Sequence, residues 1–233
     1  MSFTPKQRIN HAMNLQKPDR VPLMCQFSIG SMMQQLLPDP AEFWYDQEKF
    51  ANGLITLCEK FKFDGILVSL HGHSERWKET LISKEEVSPG FLKLTFDDRI
   101  ELHSINDLPL ITFNNKRIPK DIDEIDVETD IPSVIDYIPV SANLHFKLDS
   151  LNLFGIFDYI YQKTGEKYSI HGEITSPFDY FLDLLGYENG LLALMMAPEK
   201  SKIILDKFTK GIKEIAVQMC EKQIDAIKLS SPF

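Results

Sequence analysis

Between Tyr168 and Lys200 the hydrophobic period of the chain changes twice, and this succession restricts the fold more than any other stretch. Tyr168–Ile174 has strand length and carries His171 and Glu173 among apolar and small neighbours. Ser176-Pro177 then opens a helix: serine caps the free N–H groups, and proline suits the first helical position. Gly186 closes that helix, and a short apolar helix follows it. Strand, polar loop and helix in immediate succession describe an α/β unit.

The same unit recurs along the chain. Thr4-Pro5-Lys6-Gln7 is a capping box, so a helix is expected from there to about Leu15. Arg20–Gln26 reads as a first strand, with Pro22 near its start. Residues 28–46 are helical and loop-rich. Phe50, Leu54, Leu57, Cys58 and Phe61 then fall at helical spacing in a helix from about Gln47 to Lys60. Asp64–Leu70 is a second strand, apolar enough to be covered on both faces. A helix over Leu148–Lys163 leads to the strand at Tyr168, and a long helix over Pro198–Gln223 leads to a fourth strand, Ile224–Ser230. One internal echo supports the register. Cys58-Glu-Lys and Cys220-Glu-Lys each end a helix, and each is followed by a turn carrying an Asp and a strand ending in Ser. Strand and helix repeated four times predict a parallel sheet with right-handed crossovers.

Residues 75–140 depart from this pattern. Val87–His103 alternates at period two about a turn at Asp97-Asp98, which predicts a hairpin. Asp121–Asp130 is acidic and reads as a solvated surface loop. With too few apolar residues for its own core, 75–140 is expected to be an excursion from one domain spanning 1–233.

The formal net charge of −9 argues against a broad nucleic-acid-binding surface. Three distant cysteines, Cys25, Cys58 and Cys220, form no CxxC pair and suit a reducing, cytoplasmic setting. The N-terminus has no apolar signal region, and no apolar run approaches the ~18 residues of a membrane span.

Ligands of parallel α/β folds sit beyond the C-terminal ends of the strands. Alternation puts Ser169, His171 and Glu173 on one face of their strand, and Lys228 and Ser230 on one face of theirs. His171 and Glu173 are therefore the candidate catalytic pair; the competing reading is a structural pair that holds the loop before the Ser176 cap. A lysine in so apolar a strand needs a partner, and Glu173 could be the partner of Lys228. Ser69, His71 and His73 share a face if the second strand extends that far. His71 and His73, with Lys228 and Ser230, are candidate substrate-binding residues. The two histidines could also chelate a metal, but no third ligand is identifiable, and the plain reading is a surface loop. No elbow motif surrounds Ser69 or Ser230, and no glycine-rich phosphate loop is present.

Several stretches resemble, in order and spacing, the uroporphyrinogen decarboxylase family, which includes the corrinoid-dependent methyltransferases acting on thiols such as coenzyme M. They are Lys17-Pro-Asp-Arg-Val-Pro22, Phe63-Asp-Gly-Ile66, Ser176-Pro-Phe-Asp179 leading to Gly186, Met196-Ala-Pro-Glu199, and Asp225–Phe233. The resemblance covers nearly all of the chain outside 75–140. It implies the (β/α)8 TIM-barrel fold, with this chain holding about the first four units, a half barrel. It also implies an enzyme. Two departures choose between branches. The decarboxylases carry an arginine-rich stretch after the first strand, where this chain has Cys25–Gln34 without arginine. They carry an essential Asp after the second strand, where this chain has Ser69-Leu-His-Gly-His-Ser74. A polyanionic tetrapyrrole would lose its counter-charges, which points to the methyltransferase branch. That branch holds zinc through a His-x-Cys motif in the second half of the barrel, and no His-x-Cys occurs here. The implication is a chain that binds no metal alone, with zinc and a corrinoid expected for the complete barrel. Its substrate would be a small molecule or a corrinoid protein. An open half barrel would dimerise or pair with a C-terminal half. The other readings are uroporphyrinogen decarboxylation and a non-catalytic fragment or partner subunit of a split barrel.

Overall fold

The computed structural model describes residues 3–114, 120–140 and 144–231. The last two residues of the Asp225–Phe233 motif and the first two of the N-terminus lie outside them.

The elements follow the sequence pattern closely. In chain order they are α1 (Pro5–Met13), α2 (Ile29–Leu36), α3 (Pro40–Tyr45), α4 (Gln47–Phe61), β1 (Gly65–Val68), β2 (Leu81–Ser88), β3 (Phe91–Phe96), β4 (Arg99–Ser104) and β5 (Leu110–Phe113). Then come β6 (Tyr137–Val140), β7 (Leu144–Lys147), α5 (Gly155–Thr164), β8 (Ser169–Thr175), α6 (Pro177–Leu185), α7 (Tyr187–Met196), α8 (Pro198–Met219) and β9 (Ala226–Ser230). The Thr4 and Ser176 capping boxes both form, each with proline in the first turn. The helix expected over Leu148–Lys163 begins only at Gly155. No described helix is long and apolar enough to cross a membrane.

One three-stranded sheet has the order β1-β8-β9. β1 pairs with β8 in parallel, Leu67 opposite His171. Asp225 N–H donates to Ile170 O and Ser176 N–H to Ser230 O, both at 2.8 Å. The partner numbers rise together, so β9 also runs parallel to β8. The first strand, expected at Arg20–Gln26, is not formed, and the sheet is not closed into a barrel. Pro22 has no N–H to give a ladder, and Leu23 spends both its backbone groups on Asp64. Its carbonyl takes the Asp64 N–H at 2.7 Å, and its N–H donates to the Asp64 carboxylate at 2.8 Å. Asp225 treats Ile170 in the same way, its carboxylate accepting the Ile170 N–H at 2.9 Å. The two halves of the internal echo thus make the same turn, each Asp clasping a residue of the preceding strand segment.

The chain forms two compact units. The first comprises 1–116, 148–172 and 222–226. Its core joins Phe43, Phe50, Leu54 and Leu57 to Val68, Ile156, Phe157 and Ile160. The expected hairpin at Val87–His103 is β3 and β4, with β2 and β5 extending it to four antiparallel strands, order β2-β3-β4-β5. This sheet buries Leu94 and Phe96 in a cluster with Ala41 and Trp77. Beside that cluster Glu101, fully buried, accepts hydrogen bonds from Tyr45, Arg99 and His103. Arg76, near the start of the excursion, donates to both oxygens of Asp149, where the chain returns to this unit, at 3.2 and 2.6 Å.

The second unit comprises 117–147, 173–221 and 227–233. Tyr180, Phe181, Leu185, Ile204, Phe208 and Ile212 pack at its centre. The acidic segment is more than the solvated loop its charge suggests. Ile122, Ile125, Ile131 and Ile135 are buried, while Lys200 donates to Asp123 O at 3.1 Å and Lys207 to Val127 O at 2.5 Å. Lys200 and Lys207 thus tie the segment's backbone to α8, and Lys207 also meets the Glu128 carboxylate at 3.1 Å.

Candidate functional site

β8 and β9 carry the polar side chains on one face, and in the second unit they bring two expected partners together. Lys228 Nζ donates to Glu173 Oε1 at 3.2 Å. Glu173 is buried and the Lys228 side chain is 43% exposed. A buried carboxylate carries a large desolvation cost unless a cation or donors meet it, so the lysine serves to keep Glu173 in place. Ser230 contributes its backbone, whose carbonyl takes the Ser176 N–H and ties β9 to the start of α6. At that junction lies a residue that strand alternation did not single out. Asp179 is buried and accepts from Ser176 Oγ at 2.7 Å and Ser231 Oγ at 3.3 Å. Burial pushes its carboxyl above the ordinary aspartate value, against the lowering effect of both serines. The Ser-x-x-Asp capping box was the signal for it.

His171, on the same strand, belongs to the first unit and has its own partners there. Its Nε2 lies 2.9 Å from Ser169 Oγ. Burial holds its imidazole below the ordinary histidine value, and Asp225 partly offsets this.

His71 and His73 are not at an open rim. β1 ends at Val68, so the two do not extend it. Both are 1% exposed. His71 Nδ1–H donates to Leu153 O at 3.1 Å, and its ring stacks on Phe154 at 5.3 Å. His73 packs against the ring of Phe50 at 4.8 Å. Burial lowers their pKa to about 4 and about 3. The surface-loop reading is therefore corrected: apolar packing, with α5 returning over the strand end, takes both rings into the core. Among the described residues no group of three His, Cys, Asp or Glu side chains is placed to hold a metal ion.

No protein-family model matches the sequence, and neither does any curated protein. The structure is similar to that of a methyltransferase from Methanosarcina mazei, with a TM-score of 0.58 and 16% identity. The fold is methyltransferase-like. The match covers 97% of this chain and 58% of the Methanosarcina protein, so the methyltransferase-like fold described here spans a little over half the length of that protein. At this identity the likeness is one of fold, and chemistry has to be argued from the residues.

Proposed function

We propose that the chain is the N-terminal part of a uroporphyrinogen decarboxylase-like (β/α)8 barrel of the methyltransferase branch, moving a methyl group from a corrinoid to a thiol. The observation that carries the reading is the parallel β1-β8-β9 sheet with Glu173 and Lys228 paired on adjacent strands, in a fold that matches a methyltransferase over 97% of its length. The ordered motifs from Lys17 to Ser230 support it as well. The absence of arginine from Cys25–Gln34 favours methyl transfer over porphyrinogen decarboxylation.

The roles follow from chemistry. Glu173 is a carboxylate held by a partly exposed cation, suited to orienting a substrate or exchanging a proton with it. Lys228 offers the same ligand a positive charge. His171 is a neutral imidazole able to accept a proton. The described residues do not supply the ligands of the zinc that the family resemblance implies, so no step of theirs runs through it. In this reading zinc, corrinoid site and remaining strands come from further β/α units. The burial along the sheet supports that arrangement: β1 is buried throughout, while Lys228 and Leu229 of β9 are exposed.

The test is methyl transfer from methylcobalamin to a small thiol, followed by loss of the methylcobalamin absorbance. It uses the chain together with the further β/α units, whether these follow in the same reading frame or are encoded beside it. Turnover should fall by about 100-fold or more in Glu173→Gln and Lys228→Met, the scale of a lost proton-transfer group. No transfer in the parent assembly, decarboxylation of uroporphyrinogen instead, or full activity in both variants would overturn the proposal.

A further inference from the structure

The partners of His171 bear on which of its nitrogens is protonated. Asp225 Oδ2 accepts the Ile170 N–H at 2.9 Å and lies 3.3 Å from Ser169 Oγ. Its other oxygen meets Lys6 Nζ at 2.8 Å. Both oxygens thus face donors, and an ionised carboxylate can only accept. The contact to Ser169 is a hydrogen bond with the serine proton pointing at Asp225. A hydroxyl has a single proton, so Ser169 Oγ has only lone pairs left for the imidazole nitrogen 2.9 Å away. In that arrangement Nε2 is the donor. All four residues belong to the first unit, and Ser169 is fully buried, so water does not compete for its hydroxyl.

We infer that Ser169 and Asp225, anchored by Lys6, are positioning residues that fix His171 as its Nε2–H tautomer and make Nδ1 its lone-pair atom. The arrangement has the logic of the outer-shell groups that orient ligating or proton-accepting histidines: one ring nitrogen is occupied so that the other is available with a set ring orientation. It assigns the chemical duty of His171 to one atom, which can accept a proton from a substrate or coordinate an electrophile. This use of Nδ1 rests on the proposed function; the tautomer itself does not.

Nitrogen NMR of the chain labelled at its histidine rings reads the tautomer directly, with the His171 signals assigned through His171→Gln. At neutral pH the parent should show protonated Nε2 and unprotonated Nδ1. Ser169→Ala should lose the preference and give a mixture, and Asp225→Ala should weaken it. Thermal unfolding of each variant checks that the fold is kept. Nδ1–H in the parent would overturn the inference. So would an unchanged tautomer in a folded Ser169→Ala or Asp225→Ala. In the methyl-transfer assay Ser169→Ala should lose about 10- to 100-fold in rate, as outer-shell variants do. If methyl transfer fails in the parent while the tautomer is as stated, the proposed reaction falls and the positioning role stands.

Discussion

His71 and His73 show how much a residue's neighbours decide. In sequence they are two polar side chains about a glycine, just past a strand, where a ligand-binding loop belongs. In the fold, Phe50, Phe154 and Phe157 enclose them. The cost of that enclosure appears in acid. Unfolded, both imidazoles take up a proton near pH 6.5; folded, they do so only near about 4 and about 3. Between those values the unfolded chain binds more protons, so stability is full above pH 6.5 and falls as pH drops toward 4. Urea midpoints at pH 7 and pH 4.5 should show this loss, and His71→Leu with His73→Leu should reduce it. An equal loss in the double variant would assign it to other groups. The locations of these histidines were not legible from spacing, because what buries them is distant in the chain: Phe154 and Phe157 return some eighty residues after His71, and Phe50 precedes His73 in α4. The pairing of Glu173 with Lys228 was legible, because strand alternation and the need of a lysine for a partner are both local.

At the level of elements, the signals that worked were caps and turns. The Ser176 box starts α6 where proline and serine say it should. Ser176→Ala should cost about 1 kcal/mol, within the range of lost N-caps, and somewhat more because the same hydroxyl meets Asp179; denaturant unfolding measures it. A change below a few tenths would mean that Asp179 and Ser231 hold the junction without it. The echo between Cys58 and Cys220 proved to be a repeated device, with Asp64 and Asp225 each accepting a backbone N–H from the preceding strand segment. Pattern reading failed where period two met backbone chemistry. Arg20–Gln26 has the composition of a strand, yet Pro22 and the Asp64 clasp leave it without a ladder. The acidic segment exposes most of its charged residues, as expected of a solvated loop, but its charge obscured the buried Ile122 and Ile125 among them.

For the molecule as a whole, the parallel order of its strands followed from the repeated strand–helix pattern, whereas its division into two units did not. The excursion contributes 75–116 to one unit and 117–147 to the other, and nothing in composition marks that change at 116. The sheet also shows a gradient. Strands of parallel sheets are ordinarily covered on both faces; β1 and most of β8 are, while Leu229 of β9 is 64% exposed. Amide exchange in β9 should therefore run ahead of that in β1 and β8 in the isolated chain. Protection of β9 equal to that of β8 would show that its edge is already covered, for instance by a second copy.

The Arg76–Asp149 clasp brings the two ends of the excursion within reach of one carboxylate. A shortened gene joining them by a few residues would close without strain at that point. It would nevertheless strip Ile131 and Ile135 from the flank of α8, where Gly211 leaves room for Ile135 and for no larger neighbour of its own. The insertion is easy to bridge and hard to remove: its second half packs on α8, and its four-stranded sheet covers Ala41 and Tyr45 of α3.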